Sequence, residues 1–209
     1  MNHGTTTIYT LRHARTQYNA ERRYAGSLDI PLSPEGVDEA RRAAQRVRNL
    51  KLDLVVASRL RRSLDTAAIL VGQRIPIVQT RLCNERNFGL LEGRTWEQVG
   101  QLNPPVMLIR VGNDWHTVNP RNAEPFEDVW ARAKRFRNWL FRHHPGRKVL
   151  VISHGVFLQM FHGVLRRLTC IESLAHYPAN LELASFEFSG KTLVHERVVA
   201  LNGATPTDW

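Results

Sequence analysis

TTIYTLRHART, residues Thr6 to Thr16, opens on β-branched and aromatic residues and closes on an arginine and a histidine side by side. A short apolar run of this composition reads as a buried strand over Thr6 to Leu11. The elements after this strand set the fold. From Ser33 the run SPEGVDEARRAAQRVRNL has a Ser N-cap, Pro34 in the first turn and Val37, Ala40, Ala44 and Val47 at helical spacing, which predicts a helix. LDLVVAS (Leu52 to Ser58) is a second strand, and a helix through Leu60, Leu64, Ala67, Ala68 and Val71 ends at Gly72. IPIVQT is a short third strand. A helix spans about Phe126 to Phe141, KVLVIS (Lys148 to Ser153) is a continuous apolar strand, and after it comes a helix to about Arg167. LELASFEF and TLVHERVV close the chain as two strands joined by Ser189, Gly190 and Lys191. Strands alternating with helices predict an α/β fold, a three-layer α/β/α sandwich around a mainly parallel sheet.

Sheets of this kind bind ligands beyond the carboxyl ends of their strands. Arg12 and His13 come after the first strand, Ser58 and Arg62 after the second, and Ser153, His154 and Gly155 after the strand KVLVIS, so three distant segments deliver polar groups to one edge. A cluster of two histidines and two arginines is costly unless an anion occupies it, and a dianionic phosphoryl group fits. The transition state of phosphoryl transfer spreads charge over three oxygens, which arginine forks and an imidazolium can stabilise without a metal. One histidine has to be neutral to attack phosphorus while its neighbours stay cationic. Nearby positive charge lowers a histidine pKa, and His13 suits the nucleophile's role. The leaving alkoxide also needs a proton from a carboxylic acid. The loop CNERNFGLLEG, Cys83 to Gly93, offers Glu85 and Glu92, and spacing does not choose between them.

The 209 residues, 43% of them hydrophobic, fit one domain over 1–209 with a small cap around 95–125. In the cap, TWEQ (Thr95 to Gln98) has capping-box spacing ahead of a break at Asn103, Pro104 and Pro105. Met107, Leu108, Ile109, Val111 and Trp115 either wall the pocket or pack onto the sheet, and the role of region 104–116 stays open. No apolar run approaches the roughly 18 residues of a membrane span, and MNHGTTTIYT lacks the features of a secretory signal, so a soluble cytoplasmic protein is expected. Cys83 and Cys170 lack the spacing of a zinc site and read as reduced thiols. Of 29 cationic residues only Lys51, Lys134, Lys148 and Lys191 are lysines, and the formal net charge is +10. Arginine's planar fork favours phosphate or carboxylate partners, but the basic residues are scattered, unlike a nucleic-acid-binding arm. The expected partner is a small phosphorylated substrate, with no nucleic acid, membrane, metal or cofactor, and the oligomeric state is left open. His143 and His144 fall near a helix end, where the dipole favours positive charge, and without carboxylates they make a poor metal site. His3, His116, His162, His176 and His195 default to surface or core. One of Arg15, Arg22 and Arg23 can reach a substrate or be solvated, and the tail ATPTDW reads as loosely held.

Taken in order, five stretches are specific enough to suggest a family. LRHARTQYN, YAGSLDIPLSPEG, SRLRRSLDTA, NERNFGLLEG and VISHG extend over roughly Thr6 to Val164. They resemble the opening Arg-His-Gly signature and the successive motifs of the histidine phosphatase, or phosphoglycerate mutase-like, superfamily. The resemblance implies His13 as the phosphorylated nucleophile, Arg12, Arg62 and His154 as the phosphate pocket, Asn19 as a supporting phosphate-loop residue, and Glu85 over Glu92 as proton donor. Ala14 stands where Gly is usual, Arg59 where Pro is usual, and Ala123 to Pro125 where Gly-Glu-Ser is common, which leaves Glu124 without a carried-over role. NERNFG is close to the mutase form of the acid loop. The segment from Glu85 to His154 is nevertheless short, and Arg110 stands alone where mutases place paired arginines. The resemblance therefore implies a metal-independent phosphomonoesterase working through a phosphohistidine. A mutase-type phosphoryl transfer is the first alternative, and a non-catalytic phospho-ligand binding module the second.

Overall fold

The computed structural model of the chain describes residues 5–118 and 120–201; His3 and the tail ATPTDW lie outside them. In chain order the elements are β1 (Thr6–Arg12), α1 (Gln17–Ala20), α2 (Pro34–Arg48), β2 (Leu54–Ser58), α3 (Arg61–Val71), β3 (Ile77–Thr80), α4 (Trp96–Gly100), β4 (Leu108–Val111), β5 (Asp114–Thr117), α5 (Phe126–His143), β6 (Lys148–Ser153), α6 (Gly155–Arg166), β7 (Glu182–Ser189) and β8 (Thr192–Ala200). Six strands form one sheet in the order β3-β2-β6-β1-β7-β8. The first four run parallel, β7 is antiparallel to β1, and β8 is antiparallel to β7. Parallel neighbours need a crossover, which the helices supply, whereas Gly190 at φ 59° turns β7 straight into β8.

Side chains alternate across the sheet, so each strand feeds two cores. Ile8, Leu54, Val56, Val149 and Val151 face α5 and α6, where Phe136, Phe157 and Phe161 fill the space. Leu11, Val55, Ala57, Leu150 and Ile152 face α2 and α3, where Ala40, Ala44, Val47, Ala67 and Leu70 meet them. The chain is thus an α/β protein with helices on both faces of a mostly parallel sheet.

Two local features fix the loop after β1. Ser33 caps α2 through its Oγ, which accepts the Gly36 N–H at 3.1 Å, and its own N–H donates to the Arg15 carbonyl at 3.0 Å. A Cβ on Gly36 would lie 2.0 Å from that carbonyl oxygen, so α2 crosses the loop at a distance only glycine permits.

The structure adds to the expected elements at three places. β1 continues to Arg12, because the Arg12 carbonyl accepts the Leu181 N–H at 3.0 Å and Arg12 stays in register with Ser153. A capped turn forms α1, where Thr16 and Asn19 exchange a capping box. Region 104–116 contains a separate hairpin, β4 with β5, whose four-residue strands are too short to show a period in sequence. Its apolar residues divide. Ile109 and Val111 join the α5–α6 core, while Met107, Leu108 and Trp115 are exposed. No described helix is long and apolar enough to cross a membrane, and both thiols, Cys83 and Cys170, are free.

Candidate active site

β1 and β6 are adjacent and in register, so the residues leaving them emerge side by side. The His13 N–H donates to the Ser153 carbonyl at 3.0 Å, and the rings of His13 and His154 lie 5.1 Å apart. Arg12 is the last residue of β1. Arg62 enters from the first turn of α3, and His154 is the N-cap of α6. The four side chains face one another at the carboxyl edge of the sheet.

His13 Nδ1 sits 2.7 Å from the Ala14 carbonyl, which can only accept, so Nδ1 carries the proton and Nε2 is left with its lone pair. The Ala14 N–H is held in turn by Thr66 Oγ1 at 3.0 Å. Burial first, then the guanidinium groups of Arg62 and Arg12, holds the His13 imidazole well below the ordinary histidine range. His154 shares these causes, burial leading, with Arg62, His13, Arg12 and Arg132 adding to it. Both imidazoles are therefore neutral at pH 7. This corrects the expectation of an imidazolium at His154: the ring is fully buried, and its neighbours are cations. His154 Nε2 shares a 2.6 Å hydrogen bond with Ser58 Oγ. The positive charge of the site rests on the arginines. Arg62 is 1% exposed and donates to the carbonyls of Leu28 and Gly26, and burial brings its pKa down to about 10, which leaves it cationic. Arg12 donates to the Pro178 carbonyl at 2.8 Å. Among the described residues, Arg12 Nε, Arg62 Nε and His154 Nδ1 are buried without a hydrogen-bond partner, the signature of a site that takes an anion.

The two acids of the loop have different surroundings. Glu85 points at the start of α6, where its carboxylate accepts the N–H groups of Val156 at 3.3 Å and Phe157 at 3.1 Å, beside His154. Glu92 faces away, accepting from the Ser27 N–H and hydroxyl and from the Phe88 N–H, and it braces the loop. Arg132 of α5 holds the same loop by donating to the carbonyls of Leu82 and Asn84 and pairing with Glu124 at 2.8 Å. That pair gives Glu124 its role: it anchors Arg132 and, through its own carbonyl, accepts from Arg86 Nε at 2.7 Å. Asn19 lies beside the cluster with Oδ1 committed to Thr16, at 3.0 Å from its N–H and 2.9 Å from its hydroxyl.

The profile of the histidine phosphatase superfamily (branch 1) matches residues 8–200. The chain belongs to that superfamily. Among its relatives, a 2,3-bisphosphoglycerate-dependent phosphoglycerate mutase of Cytophaga hutchinsonii is 29% identical over 88% of this chain and 88% of the relative. The adenosylcobalamin/alpha-ribazole phosphatase of Escherichia coli is 29% identical over 73% of this chain and 75% of the relative. The solved structure of Bacillus stearothermophilus YhfR superposes with a TM-score of 0.78 at 28% identity, covering 90% of this chain and 94% of that one. Histidine phosphatase relatives thus carry both phosphatase and mutase names, and the fold is the phosphoglycerate mutase-like one.

Several residues around the site of this histidine phosphatase superfamily member escaped sequence reasoning. Asn180 Nδ2 donates to the His13 carbonyl at 2.8 Å, and Pro178 receives Arg12, yet both sit in an irregular segment more than 160 residues away in sequence. Arg86, fully buried, lies with its guanidinium 3.8 Å from the Phe126 ring centroid and donates to the Thr117 carbonyl at 3.0 Å. Its position within NERNFG was the only available signal. Arg15 is exposed, Arg22 stacks over Trp96, and Arg23 pairs with Glu21 at 2.8 Å. His162 and His176 have buried partners, Thr10 and Glu182, and His116 Nε2 donates to the Leu174 carbonyl. His144 departs from the expected positive character: burial, then Arg147 and His143, lowers its pKa against the helix dipole. Among the described residues no three His, Cys, Asp or Glu side chains gather as a metal site.

Proposed function

We propose that this protein is a phosphomonoesterase that hydrolyses small phosphorylated metabolites in the cytoplasm through a phosphohistidine on His13. One observation carries the proposal: a neutral His13, with Nδ1 tied to the Ala14 carbonyl, lies within reach of the charges of the buried Arg62 and the half-buried Arg12 and 5.1 Å from the His154 ring. Nε2 attacks phosphorus, the P–O ester bond breaks, and Glu85 passes a proton to the departing oxygen. Arg12, Arg62 and His154 surround the transferring PO₃ unit, with Asn19 supporting the loop beside it. A water then attacks phosphorus and gives a proton to the Glu85 carboxylate, and the N–P bond breaks to release phosphate. The arginines supply the positive charge, and no step runs through a metal, so excess chelator should leave turnover unchanged.

The expected result of His13→Ala is loss of turnover on an aryl phosphate, together with loss of the acid-labile, alkali-stable phosphate trapped on the wild-type protein. Phosphate still trapped on the variant would place the nucleophile elsewhere, and phosphate bound without turnover by the wild type would favour a binding module. The mutase reading draws on the extent of the Cytophaga hutchinsonii match. Against it, Arg110 is exposed, and Arg86 and Arg132 spend donors on the main-chain carbonyls of Thr117, Glu124, Leu82 and Asn84. Of these two guanidinium groups only Arg86 Nη2, buried without a partner, is left uncommitted, which favours water over a carboxylate-anchored acceptor. With 3-phosphoglycerate, release of phosphate faster than formation of 2-phosphoglycerate is expected, and the reverse ranking would make the protein a mutase.

A further inference from the structure

We infer that Tyr177 is a substrate-contacting residue of this site, its phenol hydroxyl donating a hydrogen bond to the phosphoryl group beside Arg12. The inference rests on the reading of the cluster as a phosphoryl pocket and adds to it a ligand from a segment that no sequence motif marks.

Residues 176–182, HYPANLE, lead into β7, and bonds at Pro178 and Asn180 tie them to Arg12 and His13. The Tyr177 N–H donates to the Asp114 carboxylate of β5 at 3.1 Å. The next residue, Pro178, accepts Arg12 Nη1 at 2.8 Å, and Asn180 Nδ2 donates to the His13 carbonyl at 2.8 Å. The turn is closed by Glu182, which accepts the Ala179 N–H at 3.1 Å through one oxygen and meets His176 Nε2 at 2.7 Å through the other. Tyr177 is thereby held in place from both sides without using its own hydroxyl.

The ring has two neighbours that locate it. The Arg12 guanidinium carbon lies over its face, 4.8 Å from the centroid. A Cβ on Gly155 would lie 2.1 Å from the Tyr177 hydroxyl oxygen. The hydroxyl therefore rests against the main chain immediately after His154, on the helical turn whose next two N–H groups hold Glu85. Arg12, Glu85 and Arg62 are all close enough for their charges to act on the phenol. Among the described residues the hydroxyl has no hydrogen-bond partner. Burial raises the Tyr177 pKa above its ordinary value, so at neutral pH the group is an O–H donor. A neutral donor aimed at a dianion adds a hydrogen bond without adding to the repulsion between Arg12 and Arg62. It also explains why residue 155 is glycine, since any side chain there would displace the phenol.

The test is Tyr177→Phe, which keeps the ring over Arg12 and against Gly155 and removes only the oxygen. Calorimetric titration with inorganic phosphate and with orthovanadate is expected to show affinity weakened about tenfold or more, the size of a lost hydrogen bond to a charged group. The thermal midpoint should stay at the wild-type value, and kcat/KM on an aryl phosphate should fall by a similar factor. Wild-type affinity for both anions in the variant overturns the assignment, as does an affinity loss that merely tracks a lowered midpoint. Anion binding by the wild type without turnover would sink the hydrolase reading alone, because the two affinities still decide Tyr177. A wild-type protein that binds neither anion overturns both.

Discussion

The proton on His13 Nδ1 is committed to the Ala14 carbonyl, and burial, Arg62 and Arg12 disfavour a second one on Nε2, so Nε2 keeps the lone pair that the proposed attack requires. At the same scale the choice between two glutamates becomes a measurable difference. Glu85→Gln should slow alkyl phosphates by about 10²-fold or more while sparing aryl phosphates with good leaving groups, because only the former need the proton. Glu92→Gln should instead weaken the brace on Ser27 and Phe88 and leave the ratio of alkyl to aryl rates unchanged. A kcat series over leaving groups of graded pKa checks both, and an equal slope for wild type and Glu85→Gln would remove Glu85 from the role. Sequence spacing could not have chosen, because what separates the two acids is a pair of N–H groups on α6, 71 and 72 residues from Glu85. The place of His13, the proposed nucleophile, was legible for the opposite reason: a His directly after a buried strand has its position set by its neighbours in sequence.

Among the elements, α5 does the most to hold the acid loop in place. Arg132, with its guanidinium 5.2 Å from the centroid of the Phe157 ring, gathers the Leu82 and Asn84 carbonyls and the Glu124 carboxylate. Its side chain is 12% exposed, so its removal leaves Glu124 and two carbonyls poorly satisfied. Arg132→Met is expected to lower stability by about 2–4 kcal/mol and to reduce kcat for alkyl esters more than for aryl esters, as the proton donor loses its support. Denaturant unfolding together with the same leaving-group series checks this, and an unchanged rate ratio would detach α5 from catalysis. Helices and long strands were readable from period and caps, and the strand ends placed Arg12, His13 and His154 at one edge. The hairpin β4–β5 and the segment 176–182 were not readable. Four-residue strands carry no statistical period, and a loop whose bonds reach Arg12 and His13 across more than 160 residues leaves no local trace.

At the scale of the whole fold, three of the described histidines, His13, His154 and His162, are buried with pKa values held well below the ordinary range. The unfolded chain takes up these protons near pH 6.5, and the folded chain does so only at lower pH. Stability is therefore full above about pH 7 and falls as pH drops through 6.5. Each group steepens that fall wherever the unfolded chain binds its proton and the folded chain does not. Urea midpoints between pH 5.5 and 7.5 should show the slope, and His162→Asn, away from the His13–His154 cluster, should reduce it. A flat profile would contradict the burial of these rings. The alternation of elements disclosed the sheet's class but not its order, which is decided by crossovers that pack helices on both faces. That order has a consequence for biosynthesis: β1, made first, lies between β6 and β7, which are made only after residue 147. A ribosome that stalls before β6 (Lys148–Ser153) releases a chain whose first strand has neither of its partners, so the edge where Arg12, His13 and His154 meet cannot assemble, and β1 stays an unpaired apolar segment until synthesis is nearly finished.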